Sequence, residues 1–206
     1  MVADELIVKK VQEGDQQAYG ELVQRYQERV YNLALKMLSS QEDARDVAQE
    51  IFVRVFRSLS GFKYQASFST WLFRIATNLC LDQLRQRRRE PPQLSGEEFQ
   101  KLGDKLSDGR PSPEEILLEQ ENLQALRQAV RDLPEAYRAA LILHHYQGFS
   151  YRQVAQILDL SEKTVATHLH RAKKMLKTKL NGGEGGALPE NKKNIKSISG
   201  RRVPIL

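Results

Sequence analysis

Residues 144–176, HHYQGFSYRQVAQILDLSEKTVATHLHRAKKML, decide how this chain is read, because they gather all four of its histidines beside a dense run of lysine and arginine. Such a stretch could serve a metal ion or a polyanion. Ser150 followed by Gln153 is a capping box that opens a short helix, YRQVAQIL; Asp159 and Leu160 turn the chain, and Ser161 caps a second helix. Two short helices joined by a tight turn make a helix-turn-helix. In the second helix Val165, Leu169, Ala172 and Leu176 recur at helical spacing, so they share one face and are expected to be buried. Lys163, Thr167, His170, Arg171 and Lys174 fall opposite. Hydrogen-bonding groups near the N-terminal half and cations beyond it suit a recognition helix, which reads base edges first and meets phosphates second.

The metal reading fares worse. His144 and His145 are adjacent and point about 100° apart on a helix, and His168 and His170 diverge by about 200°, so neither pair grips one ion from one helix. The chain has one cysteine and no HExxH pair, and no metal ligand is expected. A basic face could also be a solvated surface, and only the rest of the chain discriminates.

The 206 residues, 40% of them hydrophobic, suit two small helical units. Lysine and arginine number 32 against 26 acidic residues, a net charge of +6 that favours a polyanionic partner such as nucleic acid. The lone Cys80 sits among apolar residues in WLFRIATNLCLDQL, which reads as core, excludes an internal disulfide and points to a reducing compartment. The N-terminus is charged from its fourth residue, and no apolar run approaches the ~20 residues of a membrane span. A soluble, cytoplasmic protein without membrane insertion is expected.

Apolar residues from Tyr19 through Leu22, Val23, Tyr26, Val30, Leu33, Ala34 and Met37 predict an amphipathic helix. Ser40 caps the next, whose buried stripe is Ala44, Val47, Ala48, Ile51, Val55 and Leu59, ending at Gly61. A third runs from about Ser69 to Arg89. Residues 91–112 lose the period and read as a linker. Patterning resumes at Pro113 and runs to about Leu133; Pro134 restarts the chain into EAYRAALILHHY, closed by Gly148. Residues 181–206 read as a basic disordered tail. No strand is expected. The fold class is all-α, with one unit over residues 1–90 and a helix-turn-helix unit over 113–180.

Two faces carry further chemistry. With the stripe of the second helix buried, its far side carries Glu42, Asp46, Gln49, Glu50, Val53 and Arg57, an apolar centre in a charged rim that has the anatomy of a protein interface. A single exposed valine of no consequence is the alternative. On the third helix Trp71, Arg74, Asn78 and Arg85 fall within about 60° of one another. A stacking ring, an amide and guanidinium groups on one stripe suit single-stranded DNA, although Trp71 could equally be core packing.

DARDVAQEIFVRVFRSL (residues 43–59), FSTWLFRIATNLCLDQLRQRRR (68–89) and LPEAYRAALILHHYQGFSYRQVAQILDLSEKTVATHLHRAKKML (133–176), in that order, resemble the bacterial RNA polymerase sigma factors of the extracytoplasmic-function group. The resemblance spans roughly residues 8 to 180. It implies that the first unit binds core RNA polymerase and the minus-ten promoter element, and the second the minus-thirty-five element. Glu42, Asp46, Gln49, Glu50, Val53 and Arg57 would then meet the coiled-coil clamp of the largest polymerase subunit. Residues 62–68 would form the loop that captures a flipped base, so that Lys63, Tyr64, Trp71, Arg74, Asn78, Arg85 and Arg88 meet minus-ten DNA, with Asn78 at a position implicated in holding that base. Arg152, Lys163, Thr164, Thr167, His168, His170, Arg171 and Lys174 would meet the minus-thirty-five element. The linker would follow the nascent-RNA channel or simply be solvated.

The resemblance further implies an anti-sigma factor as regulatory partner, with no catalytic residue, cofactor or small-molecule substrate. Thr164 and Val165 are followed by Ala166, Thr167 and His168, where the family pattern has lysine, serine and arginine, which leaves the promoter sequence open. The tail has no counterpart in the minimal layout. A stand-alone helix-turn-helix regulator, dimeric on paired half-sites, leaves Val53 and the Trp71 stripe unexplained. A histidine-dependent metalloenzyme acting on nucleic acid lacks ligand clusters.

Overall fold

A computed structural model of the chain describes residues 3–89 and 113–181. The linker and tail readings lie outside the described residues. Among the described residues eight α-helices follow in order: α1 (Asp4–Gln12), α2 (Gln16–Leu38), α3 (Gln41–Ser58), α4 (Phe68–Arg89), α5 (Pro113–Arg131), α6 (Glu135–Leu141), α7 (Tyr151–Leu158) and α8 (Glu162–Asn181). Among the described residues there is no strand.

Local chemistry sets most boundaries. Asp15 accepts from the amides of Gln17 and Ala18 at the start of α2, and Ser40 accepts from Asp43 N at the start of α3. Between them Ser39 adopts the left-handed conformation (φ 60°), which lets α2 and α3 reverse direction within two residues. The capping box of Ser150 and Gln153 is formed in full, Gly148 supplies φ +77° before it, and Asp159 at φ 56° makes the turn into α8, where Ser161 Oγ accepts from Thr164 N at 3.1 Å. Two features depart from the expectation. Residues 4–12 form a helix of their own, burying Ile7 and Val8 against the first unit. After α6 the chain widens into a π turn over Ile142–Tyr146 rather than continuing as one regular helix.

Ile7, Leu22, Leu33, Met37, Ile51, Leu59, Phe68, Leu72 and Phe73 are all almost completely buried in the first unit, each contributing on the order of 1.5–3 kcal/mol by leaving water. Cys80 is buried among them, and burial pushes its thiol from 9.0 up to about 12, so it is an inert core residue. This core continues without a break into Ile142, Leu143, Phe149, Val154 and Ile157 of the second unit. The two units are therefore in direct contact, with α7 against α4 and the π turn against α2.

The contact has an apolar centre and a polar rim. The rings of Phe73 and Phe149 meet edge to face at 5.0 Å, and the Arg29 guanidinium lies 5.0 Å from the Phe73 ring and 5.7 Å from that of Phe149. Arg29 donates to the Gln147 carbonyl (3.0 Å) and side-chain oxygen (3.2 Å), and Gln147 donates back to the Arg29 carbonyl (3.1 Å). Arg138, 8% exposed, donates to Met37 O at 2.7 Å, satisfying a carbonyl that the end of α2 leaves without a helical partner. Burial lowers the affinity of Arg138 for its proton, and Glu135 opposes the shift.

Candidate polymerase and nucleic-acid interfaces

α3 presents Glu42, Asp46, Gln49, Glu50, Val53 and Arg57 to solvent, because the stripe through Ala44, Val47, Ile51 and Val55 faces the core. Val53 is 43% exposed, and one turn along Phe56 is 41% exposed. The Phe56 ring lies 5.0 Å from that of Tyr19, whose hydroxyl donates to Phe52 O at 2.7 Å. This pair doubles the apolar centre expected from Val53 alone. The spacing of three residues from Val53 to Phe56 carried the signal. Glu50 is engaged by Arg54 at 2.7 Å, an exposed pair of small energetic weight.

On α4, Arg74, Asn78 and Arg85 are exposed, and Arg85 pairs with Asp82 at 3.0 Å. Trp71 is half-buried, its ring 5.0 Å from Phe62 and 6.0 Å from Phe68. It therefore packs on the core and keeps an accessible edge. Phe62 and Phe68, at the ends of the expected base-capturing loop, are themselves buried, so the open part of that loop is 63–67. Lys63 is exposed, and Tyr64 is 44% exposed at φ 57°. The Tyr64 hydroxyl donates to Gln12 Oε1 at 2.8 Å, and Gln12 Nε2 donates to Leu59 O (2.9 Å) and Phe62 O (3.1 Å). α1 thus braces the loop, a role that nothing in the sequence patterning assigns to Gln12. Arg54, Arg57 and Ser58 of α3 share a groove with Ile75, Asn78, Leu79 and Asp82 of α4, so Arg57 stands near Asn78 as well as on the acidic face. Arg88, mostly exposed, pairs with Glu135 at 3.1 Å, and Arg87 with Asp43.

In the second unit Lys163, Thr167, His170, Arg171 and Lys174 are exposed along one side of α8, and Arg152 is exposed on α7. Thr167 donates to Lys163 O at 2.9 Å and Arg171 donates to the Tyr137 hydroxyl at 3.0 Å. Thr164 is half-buried, its hydroxyl 2.8 Å from that of Ser161. His168 stands apart from the exposed set. Its ring packs 4.9 Å from Tyr137, and burial, reinforced by Arg171, holds it below the ordinary histidine value. Helical arithmetic could have found this, since position 168 lies within about 60° of buried Val165 and Ala172.

The histidines of the π turn face one another at 4.7 Å, with His144 Nδ1 2.8 Å from Phe149 O. Burial, then His144 and Lys173, hold His145 down at about 4, so it is neutral. Among the described residues no group of three or more His, Cys, Asp or Glu side chains is placed to hold a metal ion, and no helix is long and apolar enough to cross a membrane.

Residues 22–90 match the family model for sigma-70 region 2, and residues 123–176 that for sigma-70 region 4. The sequence is similar to the ECF RNA polymerase sigma factor SigW of Bacillus subtilis, 31% identical over 84% of this chain and 94% of that one. It is likewise similar to the ECF RNA polymerase sigma-E factor of Escherichia coli K12, 34% identical over 87% and 95%. Among solved structures it resembles CnrH in complex with the cytosolic domain of CnrY, with a TM-score of 0.64, 25% identity, and coverage of 86% of this chain and 96% of that one.

Proposed function

This chain belongs to the extracytoplasmic-function group of sigma-70 RNA polymerase sigma factors, and from that premise we propose how its surfaces divide the work of promoter-specific transcription initiation. Residues 1–90 form the unit that binds core polymerase and the minus-ten element. Residues 113–180 form the unit that binds the minus-thirty-five element. Glu42, Asp46, Gln49, Glu50, Val53 and Arg57, joined by Phe56, make the polymerase contact, in which the two apolar side chains supply affinity and the acidic rim supplies steering. Lys63, Tyr64, Trp71, Arg74, Asn78, Arg85 and Arg88 receive the minus-ten element, Asn78 by its amide and the cations by phosphate contact. Protein binding supplies the unstacking energy without nucleotide hydrolysis. Arg152, Lys163, Thr164, Thr167, His168, His170, Arg171 and Lys174 receive the minus-thirty-five element, the half-buried His168 with its ring also packed on Tyr137.

The observation that carries this assignment is the pair of solvent-facing surfaces on adjoining helices of one unit: the Val53 and Phe56 patch on α3, and the Arg74 and Asn78 stripe on α4. A stand-alone duplex-binding regulator has use for neither. The protein has no catalytic step of its own and works in the cytoplasm beside the polymerase. Membership of this group implies an anti-sigma factor as its regulatory partner. Transcription in vitro from genomic fragments tests the reading. Core polymerase with the protein gives defined start sites absent without it; tight duplex binding with no new start sites overturns it.

A further inference from the structure

We propose that Thr167 reads the 5-methyl group of a thymine in the minus-thirty-five element through its own side-chain methyl, with Ala166 extending the same apolar contact. The inference rests on the function proposed above and names the base feature that α8 recognises.

The hydroxyls in the N-terminal half of α8 are already engaged within the protein. Thr164 Oγ1 lies 2.8 Å from Ser161 Oγ in the cap that opens the helix, and Thr167 Oγ1 donates to Lys163 O at 2.9 Å. A threonine hydroxyl turned back on the carbonyl four residues earlier fixes χ1. On the exposed Thr167 this leaves the Cγ2 methyl as the outward group. Thr167 lies about 40° from Lys163 and about 60° from His170 around the helix, on the stripe opposite buried Val165, Leu169 and Ala172. Ala166, half-buried at the edge of that stripe, offers a methyl and nothing polar.

Neighbouring polar groups do not fill the gap. The His168 ring packs 4.9 Å from Tyr137 and its Nδ1 is buried without a partner, so at most its Nε2 reaches DNA. Arg171 donates to the Tyr137 hydroxyl at 3.0 Å, which draws its guanidinium toward α6. Between Lys163 and His170 the solvent-facing side of α8 is therefore formed largely by methyl groups. In the major groove thymine matches such a surface, because its 5-methyl is the apolar group that the base pairs present there. Removing one methyl-sized carbon from water is worth about fourfold in affinity.

Start sites mapped with core polymerase and the full chain supply the element. Each of its thymines is then replaced singly by deoxyuridine, which removes the 5-methyl and keeps every hydrogen-bonding group of the base. Competition binding of the holoenzyme to the promoter fragment should show a loss of about fourfold at one or more of these positions. Thr167→Ser keeps the hydroxyl and removes the methyl, and should abolish the discrimination between thymine and deoxyuridine there. Thr167→Val keeps a methyl and removes the hydroxyl, and should retain that discrimination. Thermal midpoints report the folding of both variants. Equal affinity for the two bases throughout the element overturns the methyl contact, as does discrimination that survives in Thr167→Ser and vanishes in Thr167→Val, which would assign the reading to the hydroxyl. Absence of any start site would overturn the sigma-factor assignment and this inference with it, whereas start sites used equally well with either base overturn this inference alone.

Discussion

Gln12 and Tyr64, 52 residues apart, are joined by a 2.8 Å hydrogen bond from the tyrosine hydroxyl to Gln12 Oε1, while Gln12 Nε2 holds the carbonyls of Leu59 and Phe62. One amide on α1 thus holds the first half of the loop that leads into α4. Tyr64 occupies a left-handed backbone conformation (φ 57°) that a bulky residue adopts only when its surroundings enforce it. Gln12→Ala is expected to cost on the order of 1–3 kcal/mol of loop order and to slow open-complex formation. Core affinity should be unchanged. Competitor-resistant complex formation on a promoter fragment measures the first quantity, and an equilibrium titration of labelled polymerase the second.

Val53 and Phe56 should dominate the polymerase contact, because apolar anchors inside a charged rim carry most of an interface's energy. Phe56→Ser or Val53→Glu is expected to weaken core binding by about 1–3 kcal/mol, with minus-thirty-five duplex affinity intact. Unaltered core affinity in both variants would remove α3 from the interface.

Asn78→Ala should weaken open complexes by about 1–3 kcal/mol and leave core binding intact, since the side chain is exposed and its loss opens no cavity. Permanganate reactivity of unpaired thymines reads the melted bubble directly. Equal loss of core binding would show that this face of α4 meets polymerase and not DNA.

His145 makes the fold acid-sensitive. Burial, with the charges of His144 and Lys173, lowers it from 6.5 to about 4, so the unfolded chain binds the proton more readily than the folded one. Its contribution is fully present above 6.5 and drains away as the pH falls toward 4. Denaturant midpoints taken across that interval should decline for the parent and decline less for His145→Leu. Parallel profiles would show that another group governs the acid limb.

Helix positions were legible in the sequence because burial of a 3.6-residue stripe is a local property that Val165, Leu169 and Ala172, or Ala44, Ile51 and Val55, display in order. Caps were legible for the same reason: Ser40, Ser150 and Ser161 each act on the amide three residues away. α1 is too short to be legible, because nine residues hold little more than two turns of pattern, although Ile7, Val8 and Val11 follow it. The half-burial of His168 on Tyr137 is legible from its helical phase, about 60° from Val165 and about 40° from Ala172.

The sequence alone determined the all-helical class, the order of the helices, the helix-turn-helix and the exposed faces of α3, α4 and α8, since each follows from chemistry within one or two turns of chain. Tertiary structure decided the bracing of Tyr64 by Gln12, the depth of Trp71 on Phe62, and above all the meeting of Arg29 with Gln147, 118 residues away. Contacts of that range depend on how already-formed helices fill shared space. No periodicity along the chain encodes which carbonyl a distant guanidinium will reach.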